Sequence, residues 1–264
     1  MVPHFLQPDW PVPAHVRSAC SLRSGGASVA PFDSLNLGDH VGDQLQAVTR
    51  NREIYAHALQ ARPVYLKQVH GFEVVTIDSR TPNGRVADAC ISPQKGVACT
   101  VLVADCLPVL FSNRAGTLVG AAHAGWRGLC GEASEGVLER FLEHFRQYAG
   151  MESAQSATEF IASDLLVWLG PCIGPQAFEV GAEVREAFLQ ADAHVARHFK
   201  PLAHGKYLGD LPALARQRLA KRGITQIFGN DGSTEWCTLS NPSKFFSHRR
   251  DRVSGRFAAS IWLS

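Results

Sequence analysis

A chain of 264 residues with 45% hydrophobic content is long enough to bury one large core or two small ones, and too apolar for disorder. Its 26 Lys and Arg against 24 Asp and Glu leave a net charge of +2, which supplies no global field to draw a nucleic acid or an anionic membrane; anion recognition must be local. The N-terminus has neither a basic leader nor an unbroken apolar run, and no stretch approaches the roughly 18 apolar residues that cross a bilayer, so a soluble, cytoplasmic protein is expected.

In chain order, residues 16–22 (VRSACSL) read as a strand, Gly25-Gly26 as a turn and Phe32 to Gly42 as a polar loop. Leu45, Val48, Tyr55 and Leu59 recur at helical spacing across Gln44 to Gln60. Val64 to Val69 reads as a strand that ends at His70-Gly71. The most apolar run is Val97 to Phe111, where Pro108 predicts a strand that stops near Cys106 or lies at an edge. Thr117 to Ala122 is a strand of small and β-branched residues, followed by AGWRG and a helix with Ala133, Val137, Leu138, Phe141, Leu142 and Phe145 on one face and Gly150 as terminator. Polar Met151 to Asp164 is expected to be an exposed excursion.

Leu165 to Leu169 resumes as a strand and residues 170–175 turn. Helices follow around Val180 to Leu189 and Leu211 to Lys221, and strands at Ile224 to Phe228 and Phe257 to Leu263. Strands and helices interleave, so the fold class is α/β (mixed α+β), with a Gly/Arg-rich loop from Ser247 to Arg256; the pattern carries no strand order. The seven cysteines are odd in number and scattered, a poor disulfide framework that suits reduced core thiols.

Zinc and copper are held by thiolate and imidazole, and catalytic sites use three protein ligands so that a fourth position stays open. His70, Cys106 and His123 each follow a strand and precede a turn, where side chains can converge on a cleft. They lack the close CxxC or HxxxH spacing of a zinc finger. On spacing alone the plainer reading is a buried thiol and two hydrogen-bonded imidazoles. Arg127, beside Gly128 at a helix start, suits phosphate. Arg249, Arg250 and Arg256 form a basic loop that suits the same ligand. Asn36 and Asp39 lie among turn residues, and Asn36 is a candidate substrate contact. Asp88 and Asp105 are candidates to orient a metal-bound His or to act as a base, although Asp105 next to Cys106 points to the opposite strand face. His194 and His198 stand four apart without the HExxH pattern and read as a solvated helix face.

The segments SLNLGDHVGD (34–43), LKQVHG (66–71), VADCLPVLF (103–111), AAHAGWRGL (121–129), LGPCIGPQAFEV (169–180) and FFSHRRD (245–251) together resemble the YfiH family. This family is also called laccase-domain proteins, multifunctional purine nucleoside phosphorylases or peptidoglycan-editing factors. The resemblance implies one layered α/β domain over residues 1–264, and metal ligands at His70, Cys106 and His123 holding zinc, with copper possible. It implies phosphorolysis of adenosine, inosine and S-methyl-5′-thioadenosine, with adenosine deamination as a second activity, and small-molecule partners (nucleoside and phosphate) rather than nucleic acid or membrane. The alternatives are a cysteine-type amidase that edits peptidoglycan precursors through Cys106, and a single-copper polyphenol oxidase. A multicopper laccase needs HxH pairs, and no two of the eleven His are two apart. His248 and Phe178 stand where the family commonly has Tyr.

Overall fold

The structure, a computed structural model, describes residues 3–132, 135–149 and 164–264. Ala133, Gly150 and the expected excursion up to residue 163 lie outside the described residues. The first half of the chain forms β1 (Phe5–Leu6), β2 (Val16–Ser21), α1 (Leu45–Leu59), β3 (Arg62–Tyr65), β4 (Val74–Thr76), β5 (Ala89–Ser92), β6 (Val97–Val103), β7 (Leu107–Asn113) and β8 (Val119–Ala124). Then come α2 (Trp126–Cys130), α3 (Val137–Tyr148), β9 (Leu165–Leu169), β10 (Glu179–Val180), α4 (Ala182–Ala191), β11 (Phe199–Pro201) and β12 (Tyr207–Gly209). The chain closes with α5 (Leu211–Lys221), β13 (Ile227–Gly229), α6 (His248–Asp251) and β14 (Phe257–Leu263).

Two mixed sheets dominate, one ordered β1-β2-β14-β6-β3 and the other β13-β9-β7-β8-β5-β4; β10, β12 and β11 make a small third sheet. Alternation along the strands shows how the large sheets stack. On β6, Val97, Cys99, Val101 and Val103 join a core that also holds Leu110 of β7, Val119 and Ala121 of β8, and Leu166 and Trp168 of β9. The intervening Ala98 and Leu102 pack with Tyr55 and Leu59 of α1. The opposite face of the six-stranded sheet, with Val109 and Phe111 of β7 and Val167 and Leu169 of β9, is covered by Leu138 and Phe141 of α3, Phe188 of α4 and Leu214 of α5. The layers therefore run helix, sheet, sheet, helices, with the central strands buried on both faces, which is why β9 reads as an unbroken apolar run and β6 is broken only by Thr100.

The apolar run from Val97 to Phe111 proves to be two strands in different sheets, and β7 lies in the middle of its sheet between β9 and β8. Pro108 is accommodated centrally because it is the second residue of β7: its carbonyl still accepts the Gly170 N–H at 2.9 Å. Its ring lies where a Gly170 side chain would be, 2.7 Å from the site of the missing Cβ. β3 ends at Tyr65, earlier than Val69, so His70 sits in a loop rather than at a strand end. β8 runs to Ala124, so His123 lies inside a strand. All seven cysteines are free thiols. No helix among the described residues is long and apolar enough to cross a membrane.

Candidate functional site

His123 follows Val119 and Ala121 on the face of β8 that looks into the space between the two sheets, and it is 3% exposed. Opposite it in the register is Pro108, so the β6–β7 connection carrying Cys106 arrives beside it. Asp105 in that connection takes φ of 88°, a conformation costly for a side-chain-bearing residue. Its carboxylate is held by the Thr238 hydroxyl and the Arg249 N–H, both at 2.6 Å, and its carbonyl accepts from the Ile173 N–H at 2.9 Å. Asp105 thereby gathers three later segments around Cys106.

His70 arrives from a third direction. Its loop is clamped to β6 by Gln68, whose amide donates to the Leu102 carbonyl and accepts from the Leu102 N–H, each at 2.8 Å. Asp88, fully buried, accepts from the backbone N–H groups of Val69, His70 and Gly71 at 3.1, 3.0 and 2.8 Å. The same carboxylate lies 2.8 Å from Nδ1 of His123. One buried side chain thus shapes the His70 loop and turns His123 so that its Nε2 is left for other work.

The donor atoms of His70, Cys106 and His123 lie within 4.8 Å of one another. Cys106 Sγ is 3.7 Å from His70 Nε2, and the imidazole rings meet edge-on with centroids 4.8 Å apart. Gly125 permits this approach: a Cβ there would lie 2.9 Å from His70 Cδ2 and 3.0 Å from Cys106 Sγ. Burial pushes the Cys106 thiol up, but His123 and His70 outweigh it and bring its pKa down to about 6. Burial likewise opposes charge on His123, yet Cys106 and Asp88 raise its pKa to about 9. For Asp88, burial raises the pKa but His123 and the backbone N–H donors outweigh it, so it is net lowered. Two imidazoles and a readily ionised thiol are a donor set that suits zinc or copper.

These three residues line a cleft of about 450 Å³, within the range of roughly 300–1,000 Å³ for small-molecule sites. Its walls include Ile173, Phe178 and Leu211, with Arg127, Arg249, Arg256, His40 and His248 supplying polar and charged groups. Arg127 is exposed with its guanidinium 4.6 Å from the Trp126 ring centroid. Because α2 is only five residues long, the anion attraction there is the arginine's own charge rather than a helix dipole. Arg249 is steadied by the Glu179 carbonyl at 2.8 Å.

Two expected substrate contacts fall elsewhere. Arg250 does not line the cleft: it donates to the carbonyls of Thr238, Leu239 and Phe245 and pairs with Asp251 at 2.8 Å, which uses up its guanidinium in bracing the wall. Asn36 is fully buried, accepting from the N–H groups of Gly38 and Arg256 and donating to Gly38 and Asp43, so it ties loops together. His198 pairs with Gln217 outside the cleft. Sequence reasoning passed over His40 and Gln68, which sit inside the GDH and KQVH motifs; their place in those motifs was the available signal.

Residues 17–264 match the family described as multi-copper polyphenol oxidoreductase laccase. The chain is 48% identical to a purine nucleoside phosphorylase of Pseudomonas aeruginosa, with 98% of both chains covered. It is likewise 48% identical to the purine nucleoside phosphorylase YfiH of Escherichia coli, again over 98% of each. The chain belongs to the YfiH family. A crystal structure of a Neisseria meningitidis protein superposes with TM-score 0.86 at 42% identity, covering 98% of this chain and 99% of that one. A Bacillus licheniformis YfiH gives 0.82 at 27%, covering 94% and 93%. YfiH membership brings a laccase-like name, yet among the described residues His70, Cys106 and His123 form one three-residue donor cluster, enough for a single metal centre.

Proposed function

We propose that this YfiH-family chain is a metal-dependent purine nucleoside phosphorylase, residues 1–264 acting as one catalytic unit in a reducing, cytoplasmic setting. Carrying the reading is the three-donor cluster at the base of a cleft whose other charged side chains include three arginines. Its relatives named as purine nucleoside phosphorylases support the substrate class. His70, Cys106 and His123 would hold zinc, with copper the alternative, and the ion would supply Lewis acidity. Arg127, Arg249 and Arg256 bind phosphate through charge-assisted hydrogen bonds. Ile173, Phe178 and Leu211 shield the base from water, and Asp88 holds the Nδ1 proton of His123. Adenosine, inosine and S-methyl-5′-thioadenosine are the substrates proposed, and adenosine deamination is a second activity.

The test measures metal content and products together. Wild type is expected to carry about one transition metal per chain, and Cys106→Ala much less. Chelation should stop conversion of adenosine plus phosphate, and product analysis separates adenine and ribose 1-phosphate from inosine and ammonia. Equal metal content in both proteins would sink the assignment. The 3.7 Å approach of Cys106 to His70 favours a second reading, a cysteine-type amidase acting on peptidoglycan precursors. That reading takes over if metal-free protein keeps full activity and alkylation of Cys106 abolishes it. Oxidation of a phenol only by the copper-loaded form would mark the polyphenol oxidase instead.

A further inference from the structure

Phosphorolysis expels a purine that needs a proton as its bond to the sugar breaks, and most titratable groups in the cleft are already engaged. His70, Cys106 and His123 are the metal donors. Asp105 is occupied by the Thr238 hydroxyl and the Arg249 N–H. The arginines are cations that hold the anion. Two histidines remain, His40 and His248.

The two differ in their support. Among the described residues the His248 ring has no hydrogen-bond partner, and it begins the short α6. His40 has a chain of support behind it: its Nδ1 is 3.6 Å from Asp39 Oδ1, and Asp39 Oδ2 is 3.1 Å from Arg52. Arg52 in turn donates from Nε to the Leu37 carbonyl at 3.0 Å and lies over the Tyr65 ring. The loop below is fixed by Leu35 and Leu37, both fully buried, and by the four hydrogen bonds of Asn36. The 3.6 Å approach is an ion-pair distance between two half-exposed side chains, and among the described residues no other group pairs with the His40 ring, which leaves its second nitrogen open to exchange a proton in the cleft. His40, Arg256 and the donor cluster line the same cleft.

We infer that His40 is the group that delivers the proton to the departing purine, positioned by Asp39 and Arg52; the inference rests on the phosphorolysis proposed above. As a phosphate oxygen forms its bond to C1′, the C1′–N9 bond breaks and its electron pair passes to the base. His40 gives its proton to purine N7. The neutral imidazole is recharged by the proton that the phosphate monoanion sheds on becoming ribose 1-phosphate, so nucleoside plus phosphate yields purine plus sugar phosphate with no other reactant. Burial and Arg256 lower the pKa of His40 against the opposing pull of Asp39, which makes it a readier donor.

The experiment compares inosine with 7-methylguanosine, whose base is already cationic and departs without a proton. His40→Gln is expected to lose roughly 10²–10⁴-fold in kcat on inosine, keep its rate on 7-methylguanosine, and retain wild-type metal content. Asp39→Asn removes the group that raises the His40 pKa, so the alkaline limb of its inosine pH profile should move to lower pH. An unchanged inosine rate in His40→Gln, or equal loss on both nucleosides, overturns the role of His40. A wild type that makes no ribose 1-phosphate from either nucleoside refutes phosphorolysis itself and this inference with it.

Discussion

Cys106 and His123 titrate against each other's charge, and each shift has its own sign. The thiol falls from 9.0 to about 6, so its ionisation adds stability that is fully present above pH 9 and drains away as pH falls through that window. The imidazole rises from 6.5 to about 9, so its protonation adds stability present below pH 6.5 and lost as pH climbs through that window. Between about pH 6.5 and 9 the two slopes oppose, and urea unfolding of the metal-free protein should show nearly constant stability there. Alkylation follows the thiolate alone. Iodoacetamide labelling of Cys106 in metal-free protein is expected to be half-maximal near pH 6, and a midpoint near pH 9 would contradict the ion pair. Asp88 governs the same site from behind. Asp88→Asn weakens the grip on His123 and on the N–H groups of residues 69–71, so metal affinity should fall roughly 10–100-fold in a chelator competition. Unaltered affinity would show that the imidazole needs no such orienter.

At the level of elements, the turn from β8 into α2 is where close packing decides function. Gly125→Ala would push a methyl group to within 3.0 Å of Cys106 Sγ and 2.9 Å of His70 Cδ2. The expected outcome is loss of bound metal with thermal unfolding changed far less, read by elemental analysis beside calorimetry; full metal occupancy would show that the loop yields. Helices were the easier elements to read from sequence, since α1, α3 and α5 each bury one stripe against a sheet. β7 was harder, because a proline that forbids most central strand positions is tolerated where only one N–H is lost. His70, Cys106 and His123 were legible only through the motifs around them, since spacing and residue type alone fit a buried thiol and two hydrogen-bonded imidazoles equally well. Arg250 and Asn36 misled because charge and polarity look alike in sequence whether a side chain meets ligand or carbonyl. Gln68 hid because its role is to imitate a strand partner for Leu102, a task that leaves no periodic trace.

On the scale of the whole molecule, the layering follows from strands buried on both faces, but their order does not. β6 and β9 are buried throughout, so nothing in their pattern says which sheet they join or which neighbour they take. The structure puts β14 between β2 and β6, antiparallel to both, with Ala259 opposite Cys20 on one side and Val101 on the other. This arrangement bears on biosynthesis. As the chain leaves the ribosome, β2 and β6 emerge early and have no strand to join them until Phe257–Leu263 follows. The five-stranded sheet, and the space between sheets where His123 lies, therefore close only once Phe257–Leu263 has been made, and until then the apolar faces of β2 and β6 wait for a partner more than 150 residues downstream of β6.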